Sequence, residues 1–256
     1  MIHMAPDGGV AISMLGPVTA TLPNGAIVTV TGDYPFEDTL TITITNRPAG
    51  MPLYIRIPKW AAAASIAVNG GTAAPVGAAA VNTMYSVPIG GATGSTLTVV
   101  FATNPSIRVD SWYNGAIAVH RGALVYALQL SEVFGVLRSH GLNSKDYNVT
   151  QAANTSTPWN AALVLDPTNP EATLTFERTG PVPEVPFSSQ ETSCVIHATA
   201  RAVRAWGFAR DGSAAPPPAS PVDCSAAGAC GDPVKVLLVP YGTTHLRMTE
   251  MPYTAA

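Results

Sequence analysis

From Thr39 to Thr45 the chain reads TLTITIT, a strict alternation that puts Leu40, Ile42 and Ile44 on one face and four threonines on the other. The pattern predicts a half-buried strand. The same period of two recurs at Leu53, Ile55 and Ile57, at Ile66 and Val68, and at Leu97, Val99 and Phe101. Turn chemistry separates these runs: Pro23-Asn24-Gly25, Asn46 to Gly50, Asn69-Gly70-Gly71 and Gly90 to Gly94. KWAAAAS is rich in the best helix former, but Pro58 before it and Asn69-Gly70 after it confine it to a turn or a brief cap. Short strands at this spacing predict an antiparallel sandwich.

After Asn104-Pro105 the pattern restarts with AIAVHRGALVYALQL, then loosens into a polar segment, Ser131 to Pro158, with room for a short helix. Strands resume at AALVLD, ATLTF, CVIHATARAV, KVLLVP and THLRMTE. The expected fold class is therefore all-β, two consecutive antiparallel β-sandwich, jelly-roll-like domains, residues 1–105 and 106–256. The proline-rich loop 211–233 is expected to be exposed and mobile. RGALVYALQL, Arg121 to Leu130, is apolar on both faces and reads as a buried strand with Leu124, Tyr126 and Leu128 on one side. A second sheet on one side and a further domain on the other would account for that.

At 256 residues, 11% of them charged, the chain has the length to bury a core in each domain and a surface unusually poor in charge. A net charge of -3 with thirteen scattered Lys and Arg gives no basic stripe, so no nucleic acid is expected as a partner. No apolar run approaches the roughly 20 residues of a membrane-spanning helix, so no membrane span is expected. MIHMAPDGG shows neither the charged nor the apolar region of a signal peptide. Asn148-Val149-Thr150 and Asn154-Thr155-Ser156 are glycosylation sequons, which favours an extracellular or secreted protein. Cys224 and Cys230 bracket a short loop and could close as a disulfide; two thiols in a reducing compartment would look the same.

Chemistry is thinly represented. There is no G-x-S-x-G elbow, no H-E-x-x-H, no C-x-x-C and no phosphate loop. Cys194, His197 and Cys224 lack metal-site spacing. Asp33, Glu37 and Asp38 with Glu132 and Glu250 are the carboxylates a glycosidase pair would need, though acids at turns usually cap backbone N–H groups or face water. His120 and His197 alternate with apolar neighbours and read as structural. Arg121 is expected to pair with a carboxylate or with strand-end carbonyls. Trp112 and Tyr113 are candidates for stacking on a sugar ring, against the alternative of a hydrophobic plug; Trp60, Trp159 and Trp206 read as core or interface. No catalytic and no metal-binding residue is assigned.

Six stretches in order, TGDYPFEDTLTITI, PLYIRIPKWA, SIAVNG, AVHRGALVYAL, SKDYNVTQ with TPWNAALVLD, and VPYGTTHLRMTE, resemble the non-catalytic portion of glycoside hydrolase family 127, the β-L-arabinofuranosidase family. The resemblance runs from about Asp7 to Glu250. It implies β-sandwich domains that follow a catalytic (α/α)6 barrel absent from this chain. Family members hold zinc with cysteines and a glutamate and use one of two adjacent cysteines as nucleophile. No adjacent cysteine pair occurs here, so zinc is expected only in the barrel and this chain is expected to need no cofactor. The implied partners are that barrel, in cis or in trans, a plant-type or cell-wall arabinose-containing glycan, and a second copy in a homodimer. Two other readings stay open: a stand-alone carbohydrate-binding module using Trp112, Tyr113 and Tyr147, and a structural extracellular protein built from such sandwiches.

Overall fold

The computed structural model describes residues 1–89, 94–141, 144–153, 155–189 and 191–255. It divides into two compact units, Met1–Ser106 and Ile107–Ala256.

In the first unit the alternating runs become strands because each can bury one face. The strands are β1 (Ile2–Met4), β2 (Val10–Ile12), β3 (Val18–Thr21), β4 (Ile27–Thr31), β5 (Thr39–Thr45), β6 (Leu53–Arg56), β7 (Ser65–Val68), β8 (Ala74–Pro75), β9 (Met84–Ser86) and β10 (Leu97–Ala102). They form a four-stranded sheet, β1-β2-β6-β9, and a six-stranded sheet, β3-β4-β5-β10-β7-β8. Leu40, Ile42 and Ile44 of β5 stand opposite Phe101, Val99 and Leu97 of β10, while Val30 and Val28 of β4 extend the same inward row. Val10, Ile12, Leu53 and Ile55 of the smaller sheet join that row in one core, which makes the unit a sandwich. The strands are antiparallel except for β2 on β6. KWAAAAS folds as successive tight turns, with Ala61 N–H donating to Pro58 O and Ala64 N–H to Ala61 O, and no helix forms.

The second unit holds β11 (Ile107–Ser111), β12 (Ile117–Arg121), β13 (Leu124–Leu128), β14 (Glu132–Ser139), β15 (Lys145–Gln151), β16 (Ala161–Val164), β17 (Thr175–Arg178), β18 (Cys194–Ala202), β19 (Val234–Pro240) and β20 (Tyr253–Thr254). Its main sheet runs β11-β12-β13-β19-β18-β16-β20, with β17 also on β18. The sheet folds back on itself through residues 248–254. On one side that segment hydrogen-bonds β12 and β13, where Ile117 and Met251 exchange N–H to O bonds and Leu128 N–H donates to Met248 O. On the other it lies parallel to β16, pairing Leu163 with Tyr253. The enclosed space is filled by Ile117, Tyr126, Leu128, Leu163, Ile196, Leu238 and Met251, each at most 1% exposed.

RGALVYALQL splits at a Gly122 turn between β12 and β13. Leu124, Tyr126 and Leu128 are buried as the alternation requires, and Ala127 and Leu130 are buried as well. THLRMTE, expected as a strand, is irregular except for the Met248 bridge, because its backbone N–H groups are taken by a side chain described below.

The short helix expected within 131–158 does not form. The segment is a two-stranded ribbon, β14 on β15, paired from Glu132↔Gln151 to Ser139↔Lys145 with a bulge between Val136 and Arg138. Val133, Phe134, Val136, Tyr147 and Val149 are β-branched or aromatic, and their strand preference outweighs the polar composition around them. The ribbon's strands are largely exposed.

Loop 211–233 is exposed over much of its length but is held at several points. Ser220 N–H donates to Asn114 O, Val222 N–H to Tyr253 O, and Gly231 N–H to Ala202 O. Cys224 and Cys230 are joined as a disulfide, with Cys230 bridging Val203. Any freedom of the loop is therefore confined to stretches between these anchors.

Candidate functional site

The root of the ribbon is built around one carboxylate. Glu132 follows the buried Leu130, and its Oε1 accepts hydrogen bonds from Thr244 Oγ1 at 2.6 Å, His245 N–H at 2.6 Å and Leu246 N–H at 2.8 Å. Its Oε2 lies 2.8 Å from His245 Nδ1. Burial alone would raise the pKa of this carboxyl; the Thr244 hydroxyl, the Leu246 N–H and the two His245 donors outweigh it and hold the value below its ordinary 4.5. An ionised carboxylate only accepts, so His245 Nδ1 carries the shared proton and Nε2 is the ring's remaining polar atom. Phe134 meets His245 edge-to-face at 4.9 Å, which fixes the ring's orientation further.

Beside this root rises a ladder of three aromatic rings. Trp206 is buried, Trp159 lies 5.4 Å from it, and Phe208 stacks on Trp159 at 4.4 Å with ring planes 20° apart. Phe208 is 64% exposed, so its second face is open. A small hairpin holds it there: Phe208 bridges Ala214, Ala209 N–H donates to Ser213 O at 2.8 Å, and Ala215 N–H donates to Gly207 O. Asp211 accepts from both the N–H and the hydroxyl of Ser213, and Gly212 takes a φ of 81°, the left-handed region that glycine adopts at little cost. Trp206 Nε1 ties the base to Ala215 O at 2.8 Å.

Ladder and root enclose a cleft of about 380 Å³ whose walls include Trp159, Phe208, Thr150, Gln151, His245 and Arg247. Gln151 donates through Nε2 to Thr157 O, which leaves its carbonyl oxygen as an acceptor. Arg247 donates through Nε to Thr244 O at 3.0 Å, and its guanidinium lies 4.7 Å over the Tyr241 ring. The cleft thus pairs a flat apolar surface with donors and acceptors at its rim.

Of the residues singled out by sequence, Trp159 and Glu132 stand at this cleft, and the others do not converge there. Trp112 and Tyr113 sit at a 3-10 turn between β11 and β12 and are 56% and 65% exposed. Asn148 lies on the exposed ribbon, and Asn154 lies outside the described residues. Cys194 is buried, its Sγ 3.4 Å from Tyr126 Oη, whereas His197 is exposed on the opposite face of β18 beside Glu177. With Cys224 committed to a disulfide, these three cannot form a metal site. Among the described residues no three His, Cys, Asp or Glu side chains lie close enough to hold a metal ion. His120 is nearly buried, 3.2 Å from Asp110, and its pKa is lowered by burial and by Arg108 against the pull of Asp110. Arg121 stacks its guanidinium 3.7 Å over the Phe176 ring. Asp33 turns its carbonyl to the N–H groups of Phe36 and Glu37, and Asp38 O receives Thr103, so the acidic trio builds a turn. Glu132 is the one carboxylate candidate with a site around it, and that site saturates it with hydrogen bonds. Phe208, His245 and Arg247 belong to no motif that sequence reasoning singles out; the Asp211-Gly212 dipeptide, a hairpin signal, is the cue in the chain that points to Phe208.

The described residues form two all-β units, and the comparisons bear on which known proteins share them. Residues 9–103 match the family model described as beta-L-arabinofuranosidase, GH127 middle domain. Over nearly its whole length the chain shares its fold with part of each of three solved structures. One solved structure it matches is a glycoside hydrolase, 18% identical with a TM-score of 0.61, covering 99% of this chain and 37% of the other. Another is a GH127 beta-L-arabinofuranosidase from Geobacillus stearothermophilus T6, 15% identical, TM-score 0.60, covering 100% and 35%. A third is a GH127 beta-arabinofuranosidase, 15% identical, TM-score 0.54, covering 96% and 35%. No curated protein matches the chain. The chain spans little more than a third of the length of the solved structures it matches.

Proposed function

We propose that this chain is the accessory β-sandwich part of a family-127-like glycoside hydrolase and supports a catalytic (α/α)6 barrel carried outside it. The observation that carries the reading is the middle-domain match over residues 9–103, continued by a fold match across both units. The finer terms of the reading are an arabinose-containing glycan as substrate of the parent enzyme, secretion, and assembly as a dimer. The disulfide and the exposed sequon at Asn148 favour secretion.

The test joins hydrolysis to metal content. Fused or mixed with a family-127 barrel, the chain is expected to stabilise the barrel and to accompany turnover of an aryl β-L-arabinofuranoside, while alone it shows neither turnover nor bound zinc. Stoichiometric zinc and turnover in this chain alone would overturn the reading. A second reading, a stand-alone carbohydrate-binding module, draws on the exposure of Trp112 and Tyr113; sugar retention abolished by Trp112→Ala would favour it.

A further inference from the structure

We infer that the cleft between the aromatic ladder and the ribbon root is a saccharide-binding subsite, with the open face of Phe208 as its stacking platform. Only the class of ligand leans on the glycoside-hydrolase reading above; the geometry stands without it.

An exposed phenyl ring gains nothing in water, and a chain that merely closed a turn at Ala209–Ser213 would not need one. Here the ring is held rather than loose. Trp159 backs one face, Trp206 backs Trp159, and the hairpin beneath is closed by backbone bonds, by Asp211 and by the Trp206 indole. The conformational cost of presenting the ring is met in the free protein, which is what a preorganised binding surface requires. The open face matches in kind the apolar C–H face of a sugar ring.

The rim supplies what the hydroxyl edge of that ring would need. Arg247 is steadied at Nε by Thr244 O and by the Tyr241 ring, and its terminal N–H groups form a planar fork suited to two neighbouring hydroxyl oxygens. His245, fixed through Nδ1 by Glu132, presents Nε2 as a further polar atom, and Gln151 offers its carbonyl oxygen as an acceptor. Donors and acceptors together around a flat apolar surface suit a neutral polyol. An anionic ligand would find a single cation here, and a purely apolar one would strand the polar rim. The volume, about 380 Å³, holds one or two sugar rings.

Titration of the intact 256-residue chain with L-arabinose, a linear arabino-oligosaccharide and a gluco-oligosaccharide, followed by tryptophan fluorescence and by NMR of the indole N–H signals, tests the site. At least one probe is expected to bind with a millimolar or tighter Kd and to perturb Trp159. Phe208→Ala is expected to weaken binding about ten-fold, Phe208→Trp to retain it, and Trp112→Ala to leave it unchanged. Because Phe208 is exposed, its replacement is expected to leave the melting temperature in place, so lost binding would not be lost folding. Binding that survives Phe208→Ala, or no binding of any probe at millimolar concentration, overturns the subsite. Neither result bears on hydrolysis by an assembled barrel, so the two readings fail separately.

Discussion

Gly32 follows β4 with a φ of 129°, and a Cβ added there would stand 2.7 Å from the Thr39 carbonyl oxygen, a backbone atom with nowhere to go. Gly32→Ala is therefore expected to cost roughly 2–3 kcal/mol through backbone strain and steric overlap, read as a lower urea midpoint with an unchanged slope. Glu132 poses a different problem, because its side chain is a charged acceptor shared by the Thr244 hydroxyl, two backbone N–H groups and His245 Nδ1. Glu132→Gln puts an amide donor against some of them and is expected to cost about 1–3 kcal/mol at pH 7. The folded-state pKa of Glu132 is lowered, so its contribution is present above the unfolded value near 4.5 and is lost as pH falls through the lower folded value. The difference between wild type and variant should accordingly shrink as urea melts are taken from pH 7 down to pH 3; a difference independent of pH would show that the charge is not what anchors the ribbon. Neither role was legible in sequence. Gly32 is one glycine in a turn-rich acidic run that does not show how close the Thr39 backbone comes, and nothing near Glu132 in the chain announces partners more than a hundred residues away.

The elements show why the first unit was easier to read than the second. β5 obeys a period of two and pairs on both sides with strands of the same period, so its sequence pattern and its burial coincide residue by residue. β14 and β15 bury almost nothing, and alternation has no meaning for a ribbon exposed on both faces; only β propensity marked it. Short strands such as β8 and β9, and the parallel pairing of β2 with β6, are set by neighbours and leave little trace in their own residues. At this scale the ribbon is the element with most to lose in solution, since Val133, Phe134, Val136 and Leu137 are exposed side by side and Leu137 is 74% accessible. Replacing Val136 and Leu137 with threonine is expected to leave the melting temperature within a degree or two and to reduce both binding of a hydrophobic dye and self-association. A large fall in stability would mean that these side chains are covered within the folded chain.

All three cysteines of the molecule belong to the second unit, which gives the two cores separate handles. Cys224 and Cys230 lie six residues apart, a small loop whose closure is worth about 2 kcal/mol. Cys224→Ser with Cys230→Ser, or reduction, should thus lower unfolding of the second unit by about that amount while the fluorescence of Trp60, packed on the first core, keeps its midpoint. A shift of both would show that the units unfold as one. The route by which the second sheet closes has a further consequence for how the protein is made. Every residue of the first sandwich has been synthesised once Ala102 of β10 is in place, so that unit can fold while translation continues. In the second, Ile117 of β12, Leu128 of β13 and Leu163 of β16 wait for Met251, Met248 and Tyr253 before their ladders are complete. Through about ninety residues of elongation or more on the ribosome, those positions present unsatisfied backbone and apolar faces, the period in which a chaperone would have most to protect.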